Sequence, residues 1–339
     1  MAIYMLIFFA ALGIAYAGTP LAQRIAMASG FVKQPGGRHV HASPIPLLGG
    51  VAIYLAFVVA LLLFNHQPPA EYRQLAGILG GASIAALFGL WDDRRGLKAV
   101  VKLIGQFLAA SIIIWSGIRV EVLRDPMLNT IGTFVWLVVI SNAVNFLDNM
   151  DGLAGGMAAI ASAFFFVRAT TNNQILVASL SAALFGSCLG FLRYNFNRAR
   201  IFMGDTGSLF LGLVLAAVAI KLRFENQDIV TWMIPVMVLG LPLFDTALVI
   251  ISRLRRGVNP FTTAGKDHTS HRLVELGLSR REAVLVLYLA CFAFGMASLF
   301  LLKASIFEGY FTGGVVAAIC LFALYHLEFR RIATGETPR

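Results

Sequence analysis

Leu128-Asn129-Thr130-Ile131-Gly132-Thr133-Phe134-Val135-Trp136-Leu137-Val138-Val139-Ile140-Ser141-Asn142-Ala143-Val144-Asn145-Phe146-Leu147 runs without a charge and ends on Asp148-Asn149-Met150-Asp151-Gly152. About 20 apolar residues at ~1.5 Å each cover the ~30 Å of a bilayer's hydrocarbon core. The stretch therefore reads as a membrane span whose far end carries two carboxylates. A carboxylate at a membrane boundary is costly unless it is hydrated, paired or bound to a metal. In an ideal helix Asn142, Asn145 and Asn149 share a stripe, and Gly152, Gly155 and Gly156 weaken the helix just beyond. A break near Asp148 would turn Asp148 and Asp151 toward a common ligand. Hydrogen-bonding glue between helices explains the asparagines well and the two acids poorly.

The rest of the chain repeats the pattern. Of its 339 residues 58% are hydrophobic and 13% charged, with mean hydropathy +0.79. Soluble domains carry about 25% charged residues. The composition excludes a soluble globular enzyme, a disordered chain and a disulfide-stapled secreted domain. Cys188, Cys291 and Cys320 lie in apolar runs without metal-type spacing and read as packing residues. Eleven apolar segments are expected to cross or nearly cross a membrane: 1–23, 47–64, 74–91, 99–118, 128–147, 152–167, 174–192, 207–222, 229–252, 283–302 and 310–327. No basic residue precedes the first, so it does not read as a secretory signal. The expected fold is all-α and polytopic, a single integral-membrane domain over 1–339. With the N-terminus outside and the C-terminus in the cytoplasm, 20 of the 27 Lys and Arg residues fall on the inner side and 7 on the outer. The net charge of +10 then speaks of topology and anionic lipid rather than nucleic acid.

On that topology the polar residues gather at cytoplasmic ends and in inner loops 24–46, 92–98, 193–206 and 253–282. Trp91-Asp92-Asp93-Arg94-Arg95 closes the third span, with Gly96 a plausible helix end; a pair of carboxylates neutralised by the next two arginines is the plainer reading. Phe202-Met203-Gly204-Asp205-Thr206-Gly207-Ser208 opens the eighth. Its helix start suits phosphate and Asp205 suits a hard divalent cation, although a simple helix cap competes. Lys266-Asp267-His268-Thr269-Ser270-His271-Arg272 offers donors for a pyrophosphate; a solvated basic loop is the alternative. The Pro/Gly-rich loop from Lys33 to Gly50 carries Arg38, His39 and His41. Lys102 and Gln106 lie one turn apart in the fourth span, where Lys102 either snorkels or points into the acidic site. Asp245, two turns inside the ninth span, is expected to have a structural partner. Hard-cation carboxylates, a glycine-bearing helix start and a His/Arg loop on one membrane face suit metal-assisted phosphoryl transfer with a lipid substrate.

Taken in order, Asp92-Asp93, Asn142-x-x-Asn145-x-x-Asp148-x-x-Asp151-Gly152, the Phe202–Ser208 motif and the His268…His271-Arg272 loop resemble the polyprenyl-phosphate N-acetylhexosamine-1-phosphate transferases, of the glycosyltransferase family 4 type. The resemblance runs from about Arg38 to Leu276. It implies transfer of a sugar-1-phosphate from a UDP-N-acetylhexosamine to a membrane polyprenyl phosphate, with release of UMP. It implies Mg²⁺, with Mn²⁺ as a substitute, held by Asp205 with Asn145 as the second ligand. Asp92 and Asp93 would orient or deprotonate the lipid phosphate, and Asp148 and Asp151 would serve the nucleotide and diphosphate. His268, His271 and Arg272 would neutralise the pyrophosphate. Lys102, Asn142, Gly204 and His41 complete the substrate-binding candidates. A homodimer stays open.

Two departures from the family pattern stand out. Asn149 follows Asp148 where many members have glycine, and Thr269 and Ser270 stand where relatives often carry a further histidine. Three consecutive histidines, typical of the phospho-N-acetylmuramoyl-pentapeptide branch, are missing. The expected branch is therefore the one that uses UDP-N-acetylglucosamine to initiate a cell-surface polysaccharide at the bacterial cytoplasmic membrane. The muramoyl-pentapeptide transferase and, from another class, an ion-coupled transporter are the alternatives.

Overall fold

A computed structural model describes residues 1–33, 44–122, 125–223, 229–260, 263, 265–302 and 304–329. The chain divides into two compact units, residues 1–223 and 224–339.

Among the described residues the first unit is a bundle of eight helices: α1 (Ala2–Ala28), α2 (Gly49–Leu63), α3 (Tyr72–Arg95), α4 (Ala99–Trp115), α5 (Pro126–Leu147), α6 (Leu153–Thr171), α7 (Ile175–Asn195) and α8 (Gly204–Lys221). Between α1 and α2 a short antiparallel ladder pairs β1 (Val32–Lys33) with β2 (Ile45–Pro46). At the bundle's centre α8 is buried at every position from Thr206 to Ile220 and packs against α3 and α5. Apolar on all sides, it has no amphipathic stripe to expose. Its first turn comes against the backbone of α3. A side chain at Gly89 would collide with the Asp205 carbonyl and the Thr206 nitrogen, so glycine sets that approach.

The second unit holds α9 (Met233–Val238), α10 (Gly240–Arg255), α11 (Thr269–Glu275), α12 (Arg280–Phe300) and α13 (Ile306–Glu328). Ser279 and Glu282 form a capping box at the start of α12, as their spacing predicts.

The protein is all-α and polytopic in character. Among the described residues eight helices are long and apolar enough to cross a membrane: α1, α3 with its leading turn, α5, α6, α7, α8, α12 and α13. Two further apolar segments form the shorter helices α2 and α4. Segments 152–167 and 207–222 gain length because α6 and α8 take in polar flanks, Arg168 to Thr171 in one and Gly204 to Thr206 in the other. Segment 229–252, expected as one span, is divided into a 3₁₀ turn, α9 and α10, with the break at Leu239. Pro242 lacks an N–H and its ring would strike the carbonyl four residues earlier, which ends a continuous helix there.

Candidate active site

Four helix ends of the first unit meet at one end of the bundle. The C-terminal turn of α3 brings Asp92 and Asp93, the first turn of α4 brings Lys102, the last two turns of α5 bring Asn142 and Asn145, and the start of α8 brings Asp205. Gly96 closes α3 in the left-handed region at φ +66° and donates its N–H to the Asp92 carbonyl. That reversal lets Asp92 Oδ1 accept the Leu97 N–H at 2.5 Å while Oδ2 pairs with Lys102. The Lys102 ammonium also lies 2.5 Å from Asp205 Oδ2. Two carboxylates 113 positions apart in sequence thus share one cation.

The neighbouring acid does something different. Asp93 Oδ1 accepts the Asp205 N–H at 2.8 Å, and Oδ2 accepts the Thr206 N–H at 3.0 Å and the Thr206 hydroxyl at 2.7 Å. It satisfies the free amides at the start of α8 from across the bundle, where a negative charge also complements the helix dipole. Gly204, at φ +65°, lies so close to the Asp93 carboxyl that a Cβ would strike it. Asp93 therefore fixes where Asp205 stands.

Asn145 Nδ2 donates to Asp205 Oδ1 at 3.1 Å and to the Ser208 hydroxyl at 2.8 Å. One turn back, Asn142 and Gln106 exchange amide hydrogen bonds of 2.7 and 3.2 Å, the interhelical glue expected of asparagine. The expected break after the asparagine stripe is present. Helix α5 ends at Leu147, Asp148 leaves helical geometry, and Gly152 turns at φ +78°. No described residue donates a hydrogen bond to the Asp148 carboxyl. Burial, then the charges of Asp205 and Asp93, push that group up to about 8. Asp151 instead accepts the Ala199 N–H at 2.9 Å, tying the α5–α6 turn to the segment that precedes α8.

Asn195, which sequence reasoning passed over, performs the matching task. Its side-chain oxygen accepts the Gly152 N–H and its nitrogen donates to the Ile201 carbonyl, both at 2.9 Å. Its only sequence signal is an amide among the last residues of an apolar helix. Thr206, read from sequence only as a possible helix cap, and Ser208, given no role, now have partners in Asp93 and Asn145.

In the second unit the polar residues of the His loop are bound largely to their own surroundings. His268 pairs with Asp245, the structural partner expected for that acid, at 2.8 Å. Arg272 is 3% exposed; it donates to the Asp267 carbonyl at 2.8 Å and the Leu327 carbonyl at 2.5 Å and pairs with Glu328 at 2.6 Å. Asp267 accepts from Arg253 and Arg256 at 3.1 and 2.6 Å. Burial holds the His271 imidazole down to about 4, helped by its neighbours His268, Lys266 and Arg280. Glu328 and Asp267 were not singled out from sequence, because nothing in a lone acid's position announces a distant arginine. Candidate His41, with Arg38 and His39, lies outside the described residues.

Could the first unit hold a hard cation? Among the described residues no three His, Cys, Asp or Glu side chains converge as a ready-made metal site. The oxygen donors present are the carboxylates of Asp92 and Asp205 around a shared cation, while Asn145 turns its side-chain nitrogen toward Asp205. Mg²⁺ commonly binds through one or two carboxylates and completes its shell with water and substrate phosphates. The residues fit that ion and suit zinc poorly.

The fold and this cluster define a multi-pass membrane protein with a carboxylate-rich site at one end of its first-unit bundle. The family model described as glycosyl transferase family 4 matches residues 75–223, which include every acid of the cluster. A Bacillus subtilis protein named as a probable undecaprenyl-phosphate N-acetylglucosaminyl 1-phosphate transferase is 37% identical over 302 residues, covering 86% of this chain and 83% of its own length. A Mycobacterium leprae decaprenyl-phosphate N-acetylglucosaminephosphotransferase is 37% identical over 325 residues, with 84% and 81% covered. A phospho-N-acetylmuramoyl-pentapeptide-transferase from a Thermoanaerobacter species is 39% identical over 209 residues, 56% of this chain and 65% of its own. The chain belongs to the polyprenyl-phosphate N-acetylhexosamine-1-phosphate transferases, the glycosyl transferase family 4 that its motifs resemble.

Proposed function

We propose that the protein transfers N-acetylglucosamine-1-phosphate from its UDP conjugate to a polyprenyl phosphate. A phosphate oxygen of the lipid attacks the β-phosphorus of the UDP-sugar, the bond to the α-phosphate's bridging oxygen breaks, and UMP leaves. One phosphoanhydride replaces another, so no further energy source is needed. The single observation that carries this reading is the cation shared by Asp92 and Asp205 at one end of the membrane bundle.

Mg²⁺, with Mn²⁺ as a substitute, would be held by Asp205 with Asn145 as the second ligand, and when bound would neutralise charge on the UDP diphosphate. Lys102 is a cation already held beside both carboxylates, within reach of a phosphate entering there. Asp92 orients Lys102 and the lipid phosphate. Asp93 serves the chemistry through the start of α8, since both its oxygens are committed to that backbone. Asp148, with no hydrogen-bond donor of its own, and Asp151 are assigned to the nucleotide and diphosphate. His268, His271 and Arg272 are assigned to the departing pyrophosphate on the strength of the family resemblance. Eleven crossings, an outside N-terminus and a cytoplasmic C-terminus put the acids on the cytosolic face of a bacterial membrane, where the product would initiate a cell-surface polysaccharide.

The muramoyl-pentapeptide reading draws on the Thermoanaerobacter relative, but that likeness spans 56% of the chain against 86% for the Bacillus protein. Acids clustered at helix ends argue against a transporter, whose substrate sits near the bilayer midplane. Purified protein given polyprenyl phosphate, Mg²⁺ and a panel of UDP-sugars should release UMP with UDP-N-acetylglucosamine. Release only with the UDP-muramoyl-pentapeptide would move the protein to the other branch. Release with none would end the transferase reading.

A further inference from the structure

Asp205 is met from three other helices of its unit. Two of them, α3 and α5, are also fastened to α8 by their own bonds. Asp93 accepts the first amides of α8, and Asn145 donates both to Asp205 and to Ser208. Deeper in the bundle the Ser141 hydroxyl of α5 donates to the Leu209 carbonyl at 3.1 Å, and Gly212 lets the α8 backbone lie against Ser141. Lys102 comes from α4, which packs chiefly against α3 and α5. Its ammonium ends a flexible four-carbon stem, so its place depends on where α4 stands.

One turn farther along α4, Gln106 is 3% exposed and meets Asn142, which lies one turn before Asn145 on α5. Asn142 Nδ2 donates to Gln106 Oε1 at 2.7 Å and to the Val138 carbonyl at 2.8 Å, and Asn142 Oδ1 accepts from Gln106 Nε2 at 3.2 Å. Both hydrogens of the Asn142 amide are thus committed inside the bundle. Against α3, helix α4 is held by close apolar contact; a side chain at Gly105 would strike the Phe88 ring. Apolar contact sets how near two helices come but is non-directional. Two hydrogen bonds exchanged between amides have directions, and fix where along each other the helices stop.

We infer that Gln106 is a positioning residue for the transfer reaction: by exchanging amides with Asn142 it sets the register of α4 on α5 and so delivers Lys102 to Asp205. Asn142 then belongs to this clamp rather than to the substrate. A slip of one residue would turn Lys102 by about 100° and carry it ~1.5 Å along the axis. The use of Lys102 on a phosphate rests on the transferase reading; the register does not.

Three variants separate register from stability. Gln106→Leu takes an acceptor from the Asn142 amide and should lower the denaturation midpoint. The double variant Gln106→Leu/Asn142→Leu removes both amides and should bring the midpoint back near wild type, because replacing both partners by apolar groups is close to neutral. The swap Gln106→Asn/Asn142→Gln keeps an amide pair of the same combined length.

In UMP release by full-length protein in nanodiscs, Gln106→Leu and the double variant should each lower kcat by about 10- to 10²-fold, with KM for the UDP-sugar within roughly threefold. The swap should return kcat to within roughly threefold of wild type, and in a Lys102→Met background Gln106→Leu should change kcat by less than about twofold. Register is read without turnover by pulsed EPR between nitroxides at Ile104→Cys of α4 and Leu128→Cys of α5, both exposed positions, with Cys188, Cys291 and Cys320 replaced by alanine. Wild type should give one narrow distance distribution, Gln106→Leu and the double variant a broadened or shifted one, and the swap the narrow one again. A kcat that recovers with the midpoint in the double variant means interhelical glue alone and overturns the inference. So does an unchanged distance distribution in Gln106→Leu, a swap that stays slow, or Gln106 and Lys102 losses that simply multiply. If wild type releases no UMP from any UDP-sugar, the transferase reading fails, while the nitroxide distances still decide the register.

Discussion

The two units treat buried charge in opposite ways. At the helix ends of the first, Lys102 and Asp205 keep 27% and 25% of their side-chain surface exposed, and two acids lean on one lysine. In the second, Arg253, Arg272 and Glu328 are 4%, 3% and 7% exposed, and each arginine or acid is bound to two or more groups of its own unit. A buried charge is tolerated only when fully paired, and removing one partner is then costly. A partly exposed cluster with one cation to two acids can exchange that cation for another. The first arrangement suits binding and the second suits holding a loop in place.

The largest expected effect tests the binding side. Asp205→Asn should reduce transfer by at least ~10³-fold, about 4 kcal/mol in the barrier, and should also abolish Mn²⁺ binding followed by EPR. Thermal denaturation in detergent should stay near wild type, because Asp93 still caps α8 through backbone amides. Wild-type turnover in this variant would remove the metal role.

Next comes the holding side. Arg272→Met leaves the Leu327 and Asp267 carbonyls without this donor and Glu328 with Arg255 alone. The expected cost is about 3 kcal/mol of stability, read as a lowered denaturation midpoint. If Arg272 instead serves only the substrate's diphosphate, the midpoint will hold while KM for the UDP-sugar rises, and the contrast between the units collapses.

Lys102→Met should have opposite effects on two measurements. Without the ammonium, Asp92 and Asp205 lose their shared counter-charge, and a divalent ion should bind roughly tenfold more tightly. Turnover should nevertheless fall, since no fixed cation then meets the phosphates. Mn²⁺ titration beside UMP release checks both. Weaker metal binding in this variant would mean that the lysine builds the ion site rather than competing for it.

Membrane class, most helix positions and the acidic end of the bundle were legible because each is a local signal: a run of apolar residues, or an acid where an apolar run stops. The α5 break at Asp148 was legible for the same reason, a stripe of asparagines running into Gly152. What the sequence withheld is pairing. Asp92 and Asp93 are neighbours of identical chemistry, yet one faces Lys102 and the other faces the α8 backbone, because adjacent helical residues point about 100° apart. Which of the two faced α8 depended on how α3 lay against it, and Gly89 set that approach without marking itself as functional. Asp267 and Glu328 were hidden likewise, since their arginines lie on other elements. The division of the ninth segment was signalled by Pro242, but apolar length outweighed it.

The smallest expected effect is a pH dependence confined to the holding side. Burial alone would raise the Asp267 carboxyl, but hydrogen bonds and charges from Arg253 and Arg256 outweigh it and hold the group below the usual carboxylate value. A carboxylate depressed in the fold binds its proton more readily once unfolded, where its value is about 3.9. The stabilisation it gives is therefore complete above that value and is lost as pH falls through the lower folded one. Denaturation midpoints should fall with acidification in this range, and Asp267→Asn should be less stable at neutral pH yet lose less on acidification. The readout distinguishes the units directly: acid sensitivity traced to Asp267 belongs to a saturated ion network, whereas a slope that survives Asp267→Asn must come from carboxylates elsewhere, and the second unit's arginines would then be holding something other than that acid.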